Sequence, residues 1–115
     1  MANGRRPPLL EGSMRHILVL QWQASLETDF EDLVKMEEEL ESSLSEYAIV
    51  DGHDIGSDEM NIFIETDQPA RAFAEVDSIL NHWPRWTDVR AAFRAASGGN
   101  YAVLWPSGLT HFEVK

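Results

Sequence analysis

The chain has 115 residues and a mass of 13.0 kDa, one domain's worth, since a single core usually takes about 100–150 residues. It contains no cysteine, which excludes disulfides, thiolate zinc sites, iron–sulfur clusters and thiol nucleophiles together. A formal charge of −11 argues against nucleic acid and anionic membrane surfaces as partners.

Residues 1–13 hold two prolines, two glycines and no periodicity, and are expected to form a disordered leader before a single domain over 14–115. Met14 directly precedes the first patterned segment, so either Met1 or Met14 can serve as the native start. The longest early apolar run, Ile17 to Leu20, is too short for a signal sequence or a membrane span, which makes the cytoplasm the default location.

Residues 16–23 form a continuous apolar run with β-branched and aromatic members, the pattern of a central strand. Thr28 and Glu31 then spell a capping box, and Phe30, Leu33, Val34, Met36, Leu40 and Leu44 recur at helical spacing, giving a helix over about 29–45. A second strand is expected at 47–55, weakened by Gly52. After the turn residues 56–59, a third alternates Met60, Ile62 and Ile64 with Asn61, Phe63 and Glu65. Thr66 or Asp67 can cap a second helix that carries Pro69 in its first turn and ends before Pro84. Residues 87–97 fit either a helix or a strand with Val89, Ala91, Phe93 and Ala95 on one face. The strand is preferred, followed by a hairpin turn at 97–100 and a last strand at 101–105. The resulting order is β-α-β-β-α-β with an extra C-terminal strand. That is an α+β, ferredoxin-like arrangement, an antiparallel sheet with two helices on one face.

The stretch from Val50 to Thr66, followed by Pro69, Phe73, Tyr101 and Leu104-Trp105-Pro106, resembles a group of small uncharacterised bacterial proteins. The resemblance covers about residues 14–107. It implies a bacterial, cytosolic origin and brings no activity or catalytic role with it.

Charge is distributed unevenly. Residues 17–67 carry fifteen acids against Lys35 alone, a net of −14, whereas residues 1–16 and 68–115 are slightly basic. The run Glu37, Glu38, Glu39, Glu41, together with Asp58 and Glu59 at the hairpin, is therefore a candidate surface for a basic protein partner. A second candidate is the side of the sheet away from the helices, where Trp22, His53, Asn61, Phe63 and Trp105 are grouped as a ligand groove or a homodimer contact. The cluster Asp51, His53, Asp54, Asp58, Glu59 fails as a calcium loop, with Gly56 where the third ligand belongs, so no metal and no cofactor is expected. No serine stands in a nucleophile elbow, and Gly98-Gly99 lacks the lysine of a phosphate loop. No acid, base and electrophile converge at a legible spacing, which argues against an enzyme. The leading expectation is a non-catalytic acidic interaction protein, such as an inhibitor, an immunity-type factor or an adaptor. The alternative is a dimeric small-molecule module or cofactor-free enzyme that uses the sheet face.

Overall fold

The computed structural model describes residues 15–56 and 58–114, so the expected leader and Met14 lie outside the described residues. The elements are β1 (His16–Gln23), α1 (Glu27–Ser43), β2 (Ala48–Ile55), β3 (Glu59–Thr66), α2 (Pro69–Leu80), a short 3-10 turn (Pro84–Asp88), β4 (Arg90–Ala95) and β5 (Gly98–Trp105). The strands form one five-stranded antiparallel sheet in the order β2-β3-β1-β4-β5, an α+β architecture with two helices.

The uncharged centre of β1 explains why it sits mid-sheet. Leu18, Val19 and Leu20 are fully buried, so both faces of this strand are covered. Leu18, Leu20 and Trp22 point toward the helices, where they meet Met60, Ile62 and Ile64 of β3, Leu33, Met36 and Leu40 of α1, and Ala72, Val76 and Leu80 of α2. Each fully buried aliphatic side chain here stabilises the fold by about 1.5–3 kcal/mol relative to exposure. Trp22 also satisfies its indole N–H, which donates to the Arg85 carbonyl at 3.0 Å.

The segment over 87–97 is a strand from Arg90 to Ala95, preceded by the 3-10 turn. Alanine favours helices, but Ala91 and Ala92 are fully buried against Leu20 and Val19 of β1, and burial on both faces overrides propensity. The hairpin turn is tighter than expected. It consists of Ala96 and Ser97, while Gly98 and Gly99, at φ +119° and +108°, already belong to β5.

Helix α1 starts two residues earlier than the capping box at Thr28 implies. Asp29 displaces that motif because its carboxylate reaches back to accept the amides of Ser25 at 3.0 Å and Leu26 at 2.9 Å, and a charged acceptor outcompetes a hydroxyl. At the next junction neither Thr66 nor Asp67 is the cap: Gln68 precedes Pro69 with no side-chain cap bond, and Thr66 Oγ1 instead accepts the Gln68 amide at 3.0 Å while donating to the Tyr47 carbonyl at 2.7 Å.

The far side of the sheet is not open. Beyond β5 the chain turns back, and Leu109, Phe112 and Val114 pack over Val19, Ala92, Ile17 and Phe63 as a second apolar cluster. Tyr101 meets Phe112 with ring centroids 5.0 Å apart. The sheet therefore has helices on one face and the C-terminal segment on the other.

Candidate docking edge

The expected ligand groove is not a single place. Trp22 faces the helices, whereas Asn61 and Phe63 face the C-terminal segment. Asn61 is fully buried in a polar network, with Gln21 Nε2 donating to Asn61 Oδ1 and to the Glu113 carbonyl at 3.0 Å each. Asn61 Nδ2 in turn donates to Glu59 Oε2 at 3.2 Å. This amide sits opposite Gln21 in the β1–β3 ladder and ties the C-terminal segment to the sheet, which is a structural use of the polar pair. Trp105 lies at the end of the edge strand β5, half-exposed and away from the other four residues. His53 lies on the opposite edge, β2.

The acids expected to meet a partner also divide. Glu59 is 4% exposed and belongs to the buried network, so its carboxylate is not presented at the surface. Glu37 holds His53 Nδ1 at 2.8 Å, tying α1 to β2. Glu39 accepts the Trp83 indole N–H at 2.9 Å and lies 2.8 Å from His82 Nε2, tying α1 to the end of α2. Those contacts, the indole first and His82 second, hold the Glu39 carboxyl below its ordinary pKa. At the start of α1, Arg85 bridges Asp29 and Asp32 at 2.9 Å each. Asp29 is likewise held below the usual carboxylate range, first by the amides of Leu26 and Ser25 and then by Arg85. Burial of Arg85 opposes its charge, but its hydrogen bonds to Asp32 and Asp29 outweigh that cost and raise its pKa.

The remaining acids are differently placed. Glu38, Glu41, Glu46, Asp51, Asp54 and Asp58 are exposed, and none has a side-chain partner among the described residues. Asp51 and Asp54 stand on β2 and Glu41 lines the groove beside it, and among the described residues no strand pairs with the outer side of β2. The β2 edge also exposes apolar side chains, Ile49 at 47% and Ile55 at 42%. Between α1 and β2 a shallow groove of about 390 Å³ is lined by Leu40, Glu41, Leu44, Ala48, Ile49 and Val50. A register shift between Val50 and Gly52 bulges this strand at Asp51, and Gly52, at φ +135°, takes the conformation that the bulge requires. The bulge turns His53 toward α1, where it meets Glu37. The other edge, β5, carries no ionisable acid or base from Gly98 to Trp105 apart from Tyr101.

Sequence reasoning found the acidity but not its division into internal ties and free charge. That division depends on which way each residue faces around α1. It also missed Ile49 and Ile55 as exposed apolar groups, because an apolar residue in a strand reads as core until the sheet order makes the strand an edge.

Among the described residues no three His, Asp or Glu side chains converge to hold a metal ion, and no helix is long and apolar enough to cross a membrane. Compared with protein-family models, curated proteins and solved structures, the chain matches none.

Proposed function

We propose that this protein is a non-catalytic binding domain that receives an extended, basic segment of a partner protein along the β2 edge, in the manner of an inhibitor, an immunity-type factor or an adaptor. The observation that carries this reading is the coincidence of an open edge strand, two exposed isoleucines and a set of unpaired acids. An open edge offers backbone amides and carbonyls to an added strand, and the alternate side chains of that strand find the Leu40–Ile49 groove. The acids supply selectivity by two routes. They repel strands that are acidic, a standard guard against edge-to-edge aggregation, and they attract lysine- and arginine-bearing ones. Unpaired carboxylates on neighbouring turns of α1 also repel one another, and a basic partner relieves that repulsion.

The fold belongs to the same proposal. With β5 set aside, the strand order 2-3-1-4 supports a split β-α-β, ferredoxin-like arrangement, in which β2 is an edge strand.

The test uses a decapeptide alternating lysine and valine, with its affinity for the full-length protein measured by calorimetry and its association rate by stopped-flow fluorescence, at low and high salt. Binding should weaken as salt rises, and the triple variant Glu38→Lys, Glu41→Lys, Asp54→Lys should slow association about tenfold at low salt. Salt-independent binding, or an unchanged association rate in the variant, contradicts the reading.

A further inference from the structure

On the helix side of the sheet, at the β5 edge, a groove of about 520 Å³ runs between α2, the 3-10 turn and the end of the strand. Its walls are aromatic. Phe73 and Trp86 stack with centroids 5.9 Å apart and 27° between their planes, and Trp105 stands at the rim with 46% of its surface exposed. Ala70 and Ala74, one helical turn apart on α2, keep the space between these rings clear. Trp86 is fixed by the face of Phe73, by Trp22 with ring centroids 6.3 Å apart and planes tilted by 57°, and by its indole N–H, which donates to Asp77 Oδ1 at 2.7 Å. A ring anchored in this way loses little freedom when something packs on it.

Asp77 is the one charged side chain lining the groove among the described residues, and no lysine or arginine lines it. The nearest arginine of α2 in sequence, Arg71, is turned away, with its guanidinium 3.7 Å over the Tyr47 ring. Aromatic faces attract positive charge, and apolar walls favour a ligand that carries hydrocarbon. A carboxylate beside them supplies the countercharge. A small anion is repelled by Asp77 and by the net charge of −11, and a fully hydrated metal ion gains nothing from indole walls.

We propose that this groove is a binding site for a small organic cation of the alkylammonium class, held between Trp86 and Trp105 and balanced by Asp77. It lies at the opposite sheet edge from β2, so the site and the docking edge stand or fall separately. The ligand class follows from the chemistry of the lining: a charge that is spread over alkyl groups satisfies the π-faces and the apolar floor together, which neither an alcohol nor a bare ammonium does.

The experiment titrates full-length protein with tetramethylammonium chloride, with tert-butanol as a neutral molecule of similar shape, and with sodium chloride. The indole N–H NMR signals of the four tryptophans are followed throughout. Tetramethylammonium should shift Trp86 and Trp105 saturably and leave unmoved Trp83, whose indole N–H is held by Glu39 outside the groove, while tert-butanol binds at least about tenfold more weakly. Asp77→Asn keeps an acceptor for the Trp86 indole but removes the charge, and it should cost the cation about tenfold in affinity without altering the response to tert-butanol. Trp105→Ala alters a surface side chain and should weaken the cation comparably with the Trp22 signal in place. Equal binding of tert-butanol would overturn the proposal. So would shifts reproduced by sodium chloride, or an affinity untouched by both substitutions.

Discussion

Phe112→Ala decides whether the C-terminal segment is a true layer of the fold or a loose cover over a usable sheet face. Phe112 is 9% exposed and anchors the cluster with Val19 and Ala92. A buried phenylalanine ring removes roughly 150–250 Å² from water, or about 4–6 kcal/mol at the usual coefficient of ~25 cal/mol/Å². Alanine keeps part of that area, and a segment near the chain end can settle into the gap, which brings the expected loss to about 2–3 kcal/mol. For a domain of this size each kcal/mol lowers Tm by roughly 4 °C, so the variant should melt about 8–12 °C below wild type. Lifting the segment also uncovers Val19, Phe63 and Ala92, so binding of a fluorescent apolar dye should rise. A Tm change under about 2 °C with no added dye binding would refute the reasoning. The sheet face would then be available to a ligand or to a second copy of the chain.

Asn61→Ala removes the partner of Gln21 and a donor to Glu59 inside the sheet, and should cost about 1–3 kcal/mol in urea unfolding; a neutral result would mean that water replaces the amide. Asp29→Asn should lower stability in a pH-dependent way. The folded pKa of Asp29 is depressed, so its contribution is complete above the unfolded value of about 4 and is lost as pH falls through the folded one. The Tm gap between wild type and Asp29→Asn is therefore widest at neutral pH and closes in acid, and a constant gap contradicts the cap. Gly52→Ala meets no neighbour within 4 Å but must adopt φ +135°, so backbone strain alone should cost about 1–2 kcal/mol by chemical denaturation; an unchanged midpoint would mean that the bulge re-forms without it.

Much of the fold was legible in the sequence because the periodicity is strong. The run over 16–23, the alternation over 60–66 and the helical stripe from Leu33 to Leu40 each allow one structure. The Ala91–Ala95 segment was legible only through its alternation, since its composition favours a helix. The far face was not legible. Residues 109–114 are too short and irregular to read as an element, yet Phe112 and the Glu113 carbonyl cover Val19 and Gln21. For the site, the sequence showed where acid is dense. It could not show that Glu37, Glu39 and Glu59 serve contacts within the fold while Glu41, Asp51 and Asp54 remain free, because that depends on which face each residue takes once α1 lies across the sheet. The pairing of Trp86 with Asp77 was hidden similarly, nine positions apart across the loop that follows α2.

The most direct test of the docking edge is an amide NMR map of the protein with the lysine–valine decapeptide. Perturbations and slowed hydrogen exchange should concentrate on residues 48–55 and on α1 from Leu40 onward, with the outward amides of β2 gaining protection as a new strand pairs with them. Perturbations spread over the acidic surface, with no new protection along β2, would contradict the account.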